Sequence, residues 1–109
     1  NNNFTDFIVN DIFYHINQEK LETAASKLKA ISHPVRIAIL ELLSKEKMCV
    51  TDIYEQLGLG QATTSHHLNI LRTNGVLISK RHGKKKFYEI KHKALVDILD
   101  CINRCQDDN

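Results

Sequence analysis

Three sets of side chains in this chain have types and spacings that could do chemistry. The first is the run Gln61, Ala62, Thr63, Thr64, Ser65, His66 and His67, rich in short hydrogen-bonding groups and free of carboxylates. Gln can pair bidentately with adenine, Ser and Thr can serve several bases, and methyl groups can touch thymine. The second is Arg81, Lys84, Lys85 and Lys86 around Gly83. Such a set could neutralise phosphates or enter a minor groove. The third is the thiols Cys49, Cys101 and Cys105. Cys101 and Cys105 stand at i,i+4 and would share one helix face. There they could bind a soft metal ion or an arsenite-like species, act with Cys49 as a redox sensor, or serve as small apolar residues in a packed seam. His66 and His67 are neighbours and point different ways, so together they make a poor pair of metal ligands.

Charge is arranged to favour a polyanion. The net charge is only +2 over 109 residues. Residues 61–96 carry eight basic side chains (Arg72, Lys80, Arg81, Lys84, Lys85, Lys86, Lys91 and Lys93) against Glu89 alone, a local +7. Both flanks are net acidic. A basic block confined to one third of a chain is the electrostatic footprint of nucleic-acid binding, although a charge run alone is more often a solvated face. Arg72 falls inside this block and joins the candidate DNA contacts.

Composition narrows the class. Apolar residues make up 42% of the chain, ordinary for a folded domain. No apolar run approaches the roughly 18 residues of a membrane span. The Asn-rich, acidic N-terminal stretch lacks the pattern of a secretory signal, and three widely spaced cysteines are a poor disulfide framework. A cytoplasmic protein with reduced thiols is expected.

The elements that must position these groups follow from periodicity. Phe4, Phe7, Ile8, Ile12 and Ile16, then Leu21, Ala24, Ala25, Leu28 and Ile31, recur at helical spacing and predict one or two helices over 4–31. Ser32-His33-Pro34 reads as a helix start, with Pro at the first helical position. The following helix, apolar on most faces from Val35 to Leu43, should be the buried hub. A short helix over about 51–57, capped by Thr51 and closed by Gly58, precedes a polar helix over about 61–73. The latter's inward face is read as Ala62, Ser65, Leu68 and Leu71 or close neighbours. Asn74-Gly75 stops it.

The period then changes to alternation over 76–81 and 87–90, with His82 to Lys86 as the hairpin tip. A last helix over 92–105 carries an apolar face broader than packing on one small domain needs, which suggests a partner surface.

The order α-α-α-α-β-β-α, mainly helical with a small β-hairpin, is that of a winged helix-turn-helix. In such a pair the second helix enters the major groove and its N-terminal residues meet base edges. Sequence-specific binding of double-stranded DNA is the function expected. A winged-helix module that binds only other proteins is the alternative, and four basic residues at the wing argue against it. An enzyme is not expected, because no nucleophile–base pair or phosphate loop is present.

At this level of detail the sequence resembles the ArsR/SmtB family of winged-helix repressors. The resemblance spans about Leu28 to Ile102 and rests on three stretches. These are the Ser-His-His-Leu-x-x-Leu run from Ser65, the Asn-Gly-Val-Leu lead-in to the hairpin from Asn74, and the Gly-Lys-x-x-x-Tyr turn from Gly83. It implies one domain over 1–109: dimerisation helices over 4–31 and 92–105, and a DNA-binding core with wing over 34–90. It also implies a homodimeric bacterial repressor released from its operator by an effector, here a metal, a thiol-reactive species or another small molecule. No cofactor is required for the fold. Within the reading helix the resemblance points to His66 as a base or phosphate contact, with His67 beside it.

The family's sensor sites are only partly matched. Where one family site has Cys-Val-Cys-Asp, this chain has Cys49-Val50-Thr51-Asp52. Where another has a zinc set on the last helix, the aligned positions are His92, Ala94, Cys105 and Asp108. The metal ligands, with Cys49, Cys101 and Cys105 as candidate thiols, are left unassigned.

Overall fold

Five helices and three short strands carry the described residues 17–107 of the computed structural model. In chain order they are α1 (Gln18–Ile31), α2 (Pro34–Leu43), β1 (Met48–Cys49), α3 (Val50–Leu57), α4 (Gln61–Thr73), β2 (Leu77–His82), β3 (Lys85–Ile90) and α5 (Ala94–Asp107). The helical segment expected over residues 4–16 lies outside the described residues, as does Asp108.

Helix α1 starts at Asn17, whose side chain accepts a hydrogen bond from the Lys20 N–H. Only Ala30 and Ile31 at its end are buried, while Leu28 is 56% exposed. Helix α2 begins as its sequence predicts. Pro34 takes the first position, and His33 caps by accepting the Val35 N–H at Nδ1. Ile39, Leu40 and Leu43 are buried, with Val35, Ile37 and Leu42 packed partly against the same core. This helix touches α1, α3, α4, α5 and β3, and so forms the hub.

The turn from α3 to α4 is set by Gly58, which holds φ +67° as the left-handed residue after the helix. That conformation costs an L side chain roughly 1–2 kcal/mol. Ile53 of α3 and Leu68 and Leu71 of α4 are completely buried, locking the two helices onto α2. Burying each such side chain contributes about 1.5–3 kcal/mol. Helix α3 begins one residue before the expected Thr51 cap. Cys49 occupies the cap position without a side-chain bond to the backbone.

After Gly75 the chain enters an antiparallel sheet of order β1-β3-β2. Val76 and Leu77 anchor β2 in the core, and Tyr88 anchors β3. The strands pair from Leu77 opposite Ile90 to His82 opposite Lys85, so the tip is only Gly83-Lys84, tighter than the five residues expected. Gly83 has φ +64° at the first tip position, where two-residue hairpin turns require a positive φ. Strand β1 was not expected from sequence. Its two residues place Met48 opposite Tyr88 and Cys49 opposite Phe87.

Helix α5 turns Leu95 and Leu99 into the core. The other part of its apolar face, including Cys101, Ile102 and Cys105, remains exposed. No described helix is long and apolar enough to cross a membrane.

Candidate nucleic-acid interface

Helix α4 presents two faces of different character. Thr64, His67, Leu68 and Leu71 point inward. Gln61, Ala62, Thr63, Ser65, His66, Asn69, Arg72 and Thr73 are exposed. The inward face is therefore displaced from the expected Ala62–Ser65–Leu68–Leu71 set. Ala62 and Ser65 lie outside and Thr64 and His67 inside. The reason is competition between polarity and phase. The two leucines fix the helix rotation, and Thr64 and His67 fall on their side at i−4 and i−7 or i−1 and i−4.

Burial removes two residues from the seven proposed as DNA contacts. Thr64 is fully buried, and its hydroxyl finds no hydrogen-bond partner among the described residues. His67 is 8% exposed. Neither side chain can reach a base edge while α4 is seated. Gln61, Ala62, Thr63, Ser65 and His66 keep open sites, and Ala62, Ser65, His66, Asn69 and Thr73 form one stripe along the helix. Asn69 was missed. The signal that could have found it is its i+3 and i+4 spacing from His66 and Ser65. Arg72 is exposed and donates to the Asn69 side-chain carbonyl at 2.8 Å, which aims its guanidinium along this face.

The start of α4 is open as well. Gly60 caps it without a side chain, so the first N–H groups have no side-chain cap among the described residues. Such an end suits a phosphate, because free N–H groups and the helix dipole both favour an anion.

The hairpin gathers the expected basic set. Arg81, Lys84, Lys85 and Lys86 are all exposed, and none forms an ion pair with a carboxylate of the described residues. Lys80 differs, lying 3.1 Å from Glu89 across the two strands. Lys86 also sits over the Tyr88 ring, 5.6 Å from its centre. The four free cations line a cleft of about 360 Å³ with Cys49, Val50, Thr51 and Asp52, which sets the wing beside the start of α3.

The sequence and the fold are matched by known proteins. The family model described as "bacterial regulatory protein, arsR family" matches residues 33–79. An uncharacterized HTH-type transcriptional regulator of Methanocaldococcus jannaschii is 38% identical over 86 residues, 78% of this chain and 97% of that protein. The chain belongs to the arsR family of bacterial regulatory proteins. An arsenical resistance operon repressor of Staphylococcus aureus is 36% identical over 76 residues, covering 70% of this chain and 73% of the relative. Among solved structures, a homodimeric winged helix-turn-helix DNA-binding domain from Mycobacterium bovis superposes with a TM-score of 0.75 at 25% identity, covering 82% of each chain. As a member of this arsR family the protein is a DNA-binding transcriptional regulator with a winged helix-turn-helix fold, and not an enzyme.

The thiols of this arsR-family chain do not converge. Cys49 is buried, and its Sγ donates to Asp52 Oδ2 at 3.3 Å. Cys101 and Cys105 are exposed on α5, and Arg104 donates to Cys101 Sγ at 3.6 Å. Among the described residues no group of three or more His, Cys, Asp or Glu side chains is placed to hold a metal ion.

Opposite the exposed stripe, His67 joins a cluster of nitrogen bases. Its Nδ1 lies 3.1 Å from Arg36 Nη1. Because a guanidinium can only donate, His67 Nδ1 is the acceptor and its proton sits on Nε2. The His33 ring lies 4.6 Å away, centre to centre, and the His66 ring 5.5 Å away. Burial, together with His33, Arg36 and His66, holds the His67 pKa below its ordinary 6.5.

Proposed function

We propose that this protein is a homodimeric repressor that occupies a roughly palindromic operator in the cytoplasm. Each protomer lays α4 in a major groove and its wing on flanking phosphates or in the adjacent minor groove. Gln61, Ala62, Thr63, Ser65, His66 and Asn69 carry the sequence reading. Arg72, Arg81, Lys84, Lys85 and Lys86, with the open start of α4, carry the backbone contacts. The observation that supports this best is the pairing of an exposed, carboxylate-free polar face on α4 with four hairpin cations that form no ion pair among the described residues. Dimerisation through α1 and α5 fits their unburied apolar residues, Leu28 and Ile102. The Mycobacterium bovis neighbour is itself a homodimer. Two recognition helices would then meet grooves about 34–36 Å apart.

Release would come from a small inorganic or thiol-reactive effector. Cys101 and Cys105 at i,i+4 are the candidate thiols for it, exposed on the single protomer and placed at the α5 seam of the proposed dimer, whereas Cys49 is buried within the protomer. The test is fluorescence anisotropy on a duplex from the protein's own promoter against a random duplex of equal length. The expected result is nanomolar-class affinity with a preference of about a thousandfold or more at moderate salt. Equal affinity for both duplexes would overturn the repressor reading. Replacing Arg81, Lys84, Lys85 and Lys86 together with Ala should abolish DNA retention, and unchanged retention would favour the protein-binding alternative.

A further inference from the structure

One side chain ties three helices together behind the reading face. The Arg36 guanidinium belongs to α2. Its Nε donates to the Ala30 carbonyl in the last turn of α1, at 2.5 Å. Its Nη1 donates to His67 on the buried face of α4, at 3.1 Å. The α1 carbonyl and the α4 imidazole are both acceptors held by the same planar, always-charged donor. A carbonyl cannot change its role. The imidazole can, because proton uptake turns Nδ1 from acceptor into donor and gives the ring a positive charge. Donor would then face donor and cation would face cation, at a distance where the hydrogen bond now stands.

Among the described residues, none of the groups acting on His67 would compensate the new charge. The titratable and charged groups acting on it are His33 at the α1–α2 junction, Arg36 from α2 and His66 from α4 itself, and all three disfavour its cation. No carboxylate is among them. His33 is committed elsewhere, since its Nδ1 accepts the Val35 N–H that starts α2. Its ring packs beside His67. Protonation would drive the ring and the guanidinium apart, and a displacement of the ring passed to its backbone would shift α4. His67 follows His66 directly in the chain, so any shift of its backbone displaces the reading face.

We propose that the Arg36–His67 hydrogen bond is a proton-sensitive latch that positions α4 for DNA, closed when His67 is neutral and opened by acid. The latch rests on the operator-binding reading above. It makes His67 a positioning residue that touches no base, and Arg36 its fixed partner.

The experiment measures operator affinity by anisotropy from about pH 7.5 to about pH 5, spanning the ordinary histidine range, at constant ionic strength. Full-length His66→Gln protein serves as the parent, so that His67 is the one histidine left on α4. His67→Asn is added to it, because the Asn side-chain oxygen can accept from Arg36 and does not titrate. The parent is expected to lose about tenfold or more in affinity across this range, as one unfavourable protonation event allows. The double variant should lose little. At neutral pH the two should bind alike, which separates lost positioning from lost folding. Thermal melts of both proteins across the same range report whether α4 loosens alone or the whole domain melts. If the parent binds its operator at neutral pH and its affinity stays flat into acid, the latch is wrong and the repressor reading stands. Equal acid loss in parent and double variant also overturns it. If protein with His66 intact shows no preference for its operator at neutral pH, the repressor reading fails and the latch falls with it.

Discussion

Thr64 and His67 carry the same lesson at the scale of single residues: a polar side chain in a reading helix need not read. Thr64 is buried with a hydroxyl that finds no partner among the described residues. An unsatisfied buried polar group costs about 1–3 kcal/mol. Thr64→Val keeps the branched shape and removes that penalty, so chemical denaturation should show a gain of about 1 kcal/mol, with operator affinity unchanged. A loss of stability would mean that the hydroxyl has a partner after all. His67 gives the pH counterpart. Its pKa is lowered in the folded protein by burial and by its cationic and imidazole neighbours, so between that value and 6.5 the unfolded chain binds more protons than the native one. The stability contribution is therefore complete above about pH 6.5 and is lost as pH falls through the folded value. Melting temperature should drop on acidification in this window, and His67→Asn should remove that part of the slope.

The elements carry the next level of control. Helix α4 starts at Gly60, with φ −74° and no side-chain cap. A Cβ built there meets nothing within 4 Å. Gly60→Ser should therefore fit without strain. Serine exceeds glycine only by a few tenths of a kcal/mol as a cap, so a small rise in stability is expected. The added hydroxyl would occupy an N–H otherwise free for phosphate, and operator affinity should fall a few-fold while the melting temperature holds or rises. Both quantities falling together would refute that division. Gly58 offers the contrast. Its neighbourhood is equally open, but φ is +67°. Gly58→Ala should cost roughly 1–2 kcal/mol from backbone strain alone.

For the whole molecule, the distribution of charge and of uncovered apolar surface sets the behaviour. The cations of the wing project from one end of the hairpin, whereas α1 and α5 leave Leu28 and Ile102 uncovered. Binding should weaken steeply with salt, and each phosphate contact removed by an alanine in the wing should reduce the log–log slope by about 0.9. A slope that does not change would place the wing away from DNA. Leu28→Lys puts a charge on the exposed side of α1, where it costs an isolated protomer little. In sedimentation it should shift the protein toward monomer and weaken operator binding together, since a half-site alone forfeits the paired contact. Retention of a full dimer would exclude this part of α1 from the interface.

How much of this was legible beforehand can be followed along the chain. Pro34 after a capping His, Gly58 with its positive φ, Asn74-Gly75 at the end of α4 and the period change near Val76 are local signals, decided by backbone sterics within a few residues. They located α2, the helix-turn-helix and the wing to within a few positions. The basic block was equally plain, because charge is additive along a sequence. Three features needed the assembled fold. Strand β1 has two residues and no periodicity, and it exists because β3 offers it an edge. The rotation of α4 was set by Leu68 and Leu71 docking against its neighbours. That docking drew Thr64 and His67 inward, although their polarity argued for solvent. The separation of Cys49 from Cys101 and Cys105 is a matter of distance through space, which spacing along the chain does not encode. The sequence by itself thus determined that this is a winged helix with a cationic wing, through short-range sterics and summed charge. Which residues of α4 stay exposed, and that Arg36 bonds to His67 behind them, depend on long-range packing that local signals do not encode.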